Sequence, residues 1–244
     1  MATKPWYNFT GGNVPNSPGL LWSPPGELTM VALDQVRGSR DFPERKFFRA
    51  SIACDPAVGF KWLDEFIWPQ MAEAIASTYA GTLEDSKAPL YGFQRNGQPI
   101  KAPPGFRFDG WSDGNYQSSP DKPAFHPGKM LIAGKRGEKR KDGTLNPRPD
   151  LYILENGEFT KWSGSPADVA AKFYAGYEAQ LLLQPSVYNN TGKGFQFGLM
   201  GVFLTGKGAA RSSGMPSVDM ASAAAGLGYT ASTSAPPAID TSEM

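Results

Sequence analysis

One cysteine and one histidine stand among 244 residues, and the two scarcities exclude much. Cys54 has no second cysteine to pair with inside the chain, and one cysteine with one histidine cannot build a Cys/His zinc cluster. His126 sits in Ala124-Phe125-His126-Pro127-Gly128, which reads as a turn, and no Gly-x-Ser-x-Gly elbow accompanies it, so Ser-His-Asp hydrolysis is not expected. Long apolar runs are missing too. None approaches the ~20 residues that span a bilayer, and the N-terminal Met1-Ala2-Thr3-Lys4-Pro5-Trp6-Tyr7 has no apolar leader core. The expectation is a cytoplasmic protein, in the host cytoplasm if viral, with no membrane partner. Nor is there an excess of either charge: 24 basic residues against 23 acidic ones leave a formal charge of +1. No global field draws an anionic partner, so any basic site must be local.

What is present is enough for a core, with 40% of residues hydrophobic. Residues 1–28 are dense in Pro, Gly and Asn, with Trp6, Tyr7, Phe9 and Trp22 scattered among them, and read as an irregular arm that packs on something. Thr29 to Arg37 and Arg45 to Cys54 read as strands joined by a charged loop. In the second, alternation groups Phe48, Ala50, Ile52 and Cys54 on one face and Arg45, Phe47 and Arg49 on the other. From Phe60 to Tyr79 apolar residues recur at steps of three and four, predicting an amphipathic helix that Pro69 kinks or restarts. Gly81 to Gly128 has little periodicity and reads as a long irregular insertion, either a functional excursion or one that contains short strands. Lys129 to Ala133 and Asp150 to Glu155 read as strands. Ser165, with Asp168 three residues on, caps a short helix to Tyr174, and strands follow at Tyr177 to Val187 and Phe195 to Leu204. Beyond Leu204, residues 205–244 are rich in Ala, Gly, Ser, Thr and Pro, a composition that predicts a disordered tail.

Chemistry-bearing residues gather in three places. Gly134 to Arg148 holds Lys135, Arg136, Lys139, Arg140, Lys141 and Arg148 against Glu138 and Asp142, and is expected to be a flexible basic loop suited to phosphates. Arg45, Phe47 and Arg49 form a cation-aromatic-cation row, natural as a base-stacking strip. Tyr188 to Leu199 sets Tyr188, Phe195 and Phe197 with Lys193 around a glycine-rich turn. Phe195 and Phe197 share a face by alternation, so one or both are core under the other reading. Trp111 is either a stacking residue on a loop or a packed anchor, and Tyr152 is a further stacking candidate opposite Leu151 and Ile153. Gly201 to Lys207 fits the spacing of a phosphate loop, but Gly208 stands where a Ser or Thr must reach magnesium, and no helix follows. Asp109, Asp113, Asp121, Asp150 and Glu155 are spread through the chain without the tight spacing of a metal site.

The turn also carries a resemblance. Tyr188, Asn190, Gly192, Lys193, Gly194, Phe195, Phe197, Gly198 and Leu199 match, with a shortened turn, a Tyr-x-Asn-x-x-Gly-x-Lys-Gly-(Val/Phe)-x-Phe-Gly-Leu pattern. In this the chain resembles a family of phage-encoded single-stranded-DNA-binding proteins, in which the pattern closes an OB-fold. Arg45 to Pro56 resembles the early strand of that family and the entry to its helix. The resemblance implies a mainly β, OB-fold-like five-stranded barrel over residues 29–204, with the added helix, the insertion and the tail. It also implies that the tail's acidic end, with Asp219, Asp240 and Glu243, recruits replication or recombination proteins.

The expected function is non-enzymatic, sequence-tolerant binding of single-stranded DNA in phage replication or recombination, without cofactor or metal. Phe47, Trp111, Tyr152, Tyr188, Phe195 and Phe197 would stack on bases, and Arg45, Arg49, Lys193 and the basic loop would hold phosphates. Two other classes stay open: a phage structural or assembly protein with disordered arms, and a metal-dependent nuclease using the scattered carboxylates.

Overall fold

The structure, a computed structural model, describes residues 11–15, 17–38, 43–67, 69, 94–95, 98–99, 106–115, 124, 126–140, 142–189 and 193–206. In chain order these form β1 (Gly12–Asn13), β2 (Leu21–Trp22), β3 (Gly26–Gly38), β4 (Lys46–Cys54), α1 (Pro56–Trp62), β5 (Gln94–Arg95), β6 (Gln98–Pro99), β7 (Phe106–Phe108) and β8 (Trp111–Asp113). After them come β9 (Met130–Gly137), β10 (Asp150–Glu155), β11 (Glu158–Lys161), α2 (Pro166–Lys172), β12 (Glu178–Asn189) and β13 (Lys193–Leu204).

Five of these strands close on themselves. β3 pairs antiparallel with β4, and β4 antiparallel with β9. β9 meets β13 in parallel at Gly198 opposite Lys135. β13 pairs antiparallel with β12 from Ala179 to Asn189, and β12 returns to β3 through Glu178 opposite Glu27 and Ala179 opposite Gly26. With α2 lying in the chain between its third and fourth strands, this ring is the expected five-stranded OB-type barrel.

Side-chain alternation builds its interior. On β4, Ala50, Ile52 and Cys54 point inward and are buried, while Phe47 and Arg49 take the opposite face by alternation. On β13, Phe195, Phe197 and Leu199 point inward, and so do Val202 and Leu204. The step of three from Leu199 to Val202 is possible because a bulge at Leu182/Leu183 shifts the register with β12. Burying the aromatic and branched side chains of this cluster contributes about 1.5–3 kcal/mol each.

Both helices add to that core. Asp55 caps α1 by accepting from the Ala57 N–H at 2.8 Å, and Pro56 supplies the preset first-turn geometry. The chain continues from α1 as a wider π-helical turn, Leu63–Ile67, so that Trp62, Leu63 and Ile67 are all buried. Ser165 and Asp168 form a reciprocal capping box at α2, and its Val169 and Phe173 enter the core. Asn156 and Gly157, both at positive φ (52° and 81°), make the two-residue turn joining β10 to β11.

Two expectations are revised, and the choice left open for the insertion is decided. The arm after residue 10 contains the short strands β1 and β2 and runs into β3. Leu21 and Trp22 pair with β12, Gln180 Nε2 donates to the Ser23 carbonyl at 2.7 Å, and Trp22 packs edge-on against Phe203 at 4.6 Å. Trp22 and Phe203, with Tyr152 and Phe159, form a second apolar cluster apart from the main core. The helix expected from residue 60 begins at Pro56; residues 68 and 70–79 of that expectation lie outside the described ones. The insertion contains strands: β5 pairs with β6, β7 pairs with the start of β13, and β8 with β9. Residues 1–10 and the tail from 207 onward lie outside the described residues. Among the described residues no helix is long and apolar enough to cross a membrane.

Candidate nucleic-acid interface

The outer face of the second and third barrel strands is where OB barrels meet oligonucleotides, flanked by the loops joining strands one to two and four to five. Here those strands are β4 and β9, and the flanking loops are residues 39–45 and 190–192. β9 is longer than expected. It runs to Gly137, so Lys135 and Arg136 belong to a strand and not to a loop. Arg49 pairs directly with Lys135 across the two strands. Like charges directly opposite each other oppose pairing, so this register is best satisfied when an anion lies over it.

One anion is already beside it. Asp109, between β7 and β8, donates its N–H to the Phe195 carbonyl at 2.8 Å. The next residue, Gly110, accepts from the Ala133 N–H at 2.8 Å. A side chain at Gly110 would put its Cβ 2.5 Å from Phe197 Cδ2, so the close approach needs glycine. These contacts bring the Asp109 carboxylate to the face. Its Oδ2 lies 3.4 Å from Lys135 Nζ and accepts from the Tyr188 hydroxyl at 2.9 Å. Lys135 Nζ also stands 5.6 Å from the centre of the Phe47 ring, within cation–π range. Arg49, Asp109, Ala133, Gly134 and Lys135 line a cavity of about 170 Å3. Gly134 keeps the strand close to the core, because a Cβ there would come within 2.7 Å of Leu183 Cδ2.

The structure thus gathers Phe47, Arg49, Lys135 and Tyr188 of the expected residues. Arg45 is exposed just before β4 and lies 3.8 Å from Glu44. Other expected residues are elsewhere. Phe195, Phe197 and Trp111 are core, at 1%, 0% and 4% exposure. Their rings pack together at 5.0 to 6.2 Å, with Trp62 at 5.6 Å from Phe197. They build the barrel interior and present no ring to a base. Tyr152 is half-buried and stacked on Phe203 at 4.3 Å, part of the second cluster.

Arg136 alternates to the opposite face from Lys135, across from Phe48. Burial there pushes its guanidinium pKa down, with Asp150 opposing the shift and Arg140 adding to it. Arg148 donates to the Gly164 carbonyl at 3.4 Å and supports the approach to α2. The basic loop is a folded turn: Lys139 bridges to Leu145, Arg140 N–H donates to the Thr144 carbonyl, and Asp142 accepts from the Thr144 N–H and hydroxyl. The hydroxyl, then the N–H, holds the Asp142 carboxyl below its ordinary pKa. Lys139 and Arg140 remain exposed at its surface. Lys141 lies outside the described residues, and so does the side chain of Lys193, although its backbone opens β13.

Of the residues weighed for chemistry, Asp121 and the side chain of Asp113 lie outside the described residues, and Cys54, His126 and Asp150 occupy structural positions. Burial, then the neighbouring Asp55, pushes the Cys54 thiol up to about 12. His126 lies in a turn, with its N–H donating to the Gly114 carbonyl. Asp150 pairs with Lys161 at 2.7 Å. Among the described residues no three His, Cys, Asp or Glu side chains converge in a way that could hold a metal ion. Asp109 is the residue whose place in the interface the sequence did not reveal. It was legible only as a scattered carboxylate, because the stretch around it has no periodicity and pairs with strands far along the chain.

No protein-family model matches the chain, and no curated protein does. Solved structures do match it in shape. The single-stranded DNA-binding protein from bacteriophage Enc34 in complex with ssDNA superposes with a TM-score of 0.56 at 19% identity, over 86% of this chain and 97% of that one. Another structure of the same protein gives 0.54 at 17% identity, over 90% of this chain and 96% of that one. The chain shares the fold of this phage protein.

Proposed function

We propose that the chain binds single-stranded DNA with little regard to sequence during phage DNA replication or recombination, as a binder and not an enzyme. The observation that carries this reading is the cross-strand Arg49–Lys135 pair with Phe47 beside it, on the outer face of the second and third strands of an OB-type barrel. Asp109 offsets part of the Lys135 charge, which leaves Arg49 and the rest of the pair's charge for a phosphate, and an aromatic ring next to them gives a base somewhere to stack. The similarity in fold to a phage protein solved with ssDNA supports the same reading. Phe47 and Tyr188 serve as stacking platforms; Arg45, Arg49, Lys135 and Lys193 hold phosphates, with Lys139, Arg140 and Lys141 extending the basic track. In this reading residues 29–204 are the binding domain. The acidic tail over 205–244 reaches replication or recombination proteins.

The test is fluorescence anisotropy of labelled oligo-dT without magnesium, against the full chain and an Arg49→Ala/Lys135→Ala double variant, at low and moderate salt. Binding that weakens with salt and is reduced in the variant is the expected result. Absence of binding at low salt refutes the reading.

A further inference from the structure

We infer that Asp109 is a specificity residue of this interface: its carboxylate accepts a hydrogen bond from a base amino group, so the groove favours cytosine over uracil. The inference rests on the single-stranded-DNA reading above and deepens it, adding a preference at one base position to binding that is otherwise tolerant of sequence. A carboxylate is out of place on a surface meant only for a polyanion, since it repels phosphate and neutralises a nearby cation. The fold nonetheless brings one to the middle of the face, held by the Asp109 N–H to the Phe195 carbonyl and by the Gly110 carbonyl receiving the Ala133 N–H.

Its two contacts fall on one oxygen. Both the Tyr188 hydroxyl and Lys135 Nζ reach Oδ2, at 2.9 and 3.4 Å, which leaves Oδ1 outside both contacts. The residue is only partly exposed and lines the cavity of about 170 Å3 with Arg49, Ala133, Gly134 and Lys135. The Tyr188 hydroxyl is anchored at the carboxylate that borders this cavity, which puts Asp109 at the edge of the ring and within reach of the edge of a base stacked there.

The chemistry of that edge decides the preference. Carboxylates accept from the N4 amine of cytosine, and such base contacts discriminate by roughly tenfold or more. In uracil a carbonyl replaces that amine, and the ring N3–H lies between two carbonyl oxygens whose lone pairs oppose a carboxylate. Asp109 also acts as a positioning residue, because its Oδ2 holds the Tyr188 hydroxyl and hence the direction of the ring's long axis.

The experiment compares oligo-dC and oligo-dU of equal length, near pH 8, by anisotropy against the full wild-type chain, Asp109→Asn and Asp109→Ala. The wild type is expected to prefer oligo-dC by about tenfold, and both variants to reduce that ratio to about twofold or less while still binding. The asparagine keeps an acceptor for Tyr188, and the alanine provides a second reading if one variant is poorly folded. Equal wild-type affinity for the two strands overturns the inference and leaves single-stranded-DNA binding standing. So does a preference that survives in both variants, which assigns it to another group. Binding to neither strand at low salt instead overturns the functional reading on which the inference rests.

Discussion

Replacing Arg49 with alanine should change how binding responds to salt more than it changes the fold. Arg49 is exposed on β4, and its backbone pairing with Lys135 survives truncation of the side chain. If Arg45, Arg49 and Lys135 each neutralise one phosphate, these three contribute about −2 to the slope of log affinity against log salt, at roughly 0.7 per contact on a single strand, in addition to what Lys193 and the basic turn add. Through these three a rise from about 50 to about 200 mM salt weakens wild-type binding roughly twentyfold. Arg49→Ala removes one of them, so their share of the loss should fall to about sevenfold. Lys135→Ala should change the slope by less, because Asp109 at 3.4 Å already balances part of that charge. The assay is equilibrium anisotropy on one labelled oligonucleotide across a salt series, with melting temperatures measured in parallel. An unchanged slope in Arg49→Ala, with the fold intact, would refute the assignment of this face to phosphate.

Phe197 and Phe47 should behave in opposite ways. Phe197→Ala empties a fully buried site and should cost about 3–5 kcal/mol of stability in urea denaturation, whereas Phe47→Ala should lower DNA affinity by about 1–3 kcal/mol with a much smaller loss of stability. Cys54, buried and with its thiol pushed up to about 12, should react with a disulfide reagent at pH 8 only slowly until denaturant is added; rapid labelling of the native protein would contradict its burial. Hydrogen bonds from the Ser165 hydroxyl and then its N–H hold the Asp168 carboxyl below its ordinary value of 3.8. The folded pKa is the lower one, so the stabilisation is present above 3.8 and disappears as pH falls through the folded value. Thermal melts should accordingly separate wild type from Asp168→Ala at neutral pH and converge in strong acid.

Local signals in the sequence determined the elements. Alternation from Phe47 to Cys54 separated the two faces of β4, Ser165 with Asp168 marked the start of α2, and the glycine-rich turn after Tyr188 joined β12 to β13. Each of these depends on neighbours a few residues apart, where backbone period and capping chemistry act directly. The same local rules put Phe195 and Phe197 on one face without saying which face is inside. They likewise left Lys135 and Arg136 in a loop that the structure extends as a strand with opposite orientations for the two side chains. Ring closure decided both, because the interior exists only once β9 meets β13 and β12 returns to β3. Asp109 reaches the interface for the same reason. Its position depends on Phe195 and on Ala133 through Gly110, pairings between distant segments that become favourable only when the barrel has brought them together, and no pattern within residues 81–128 encodes them.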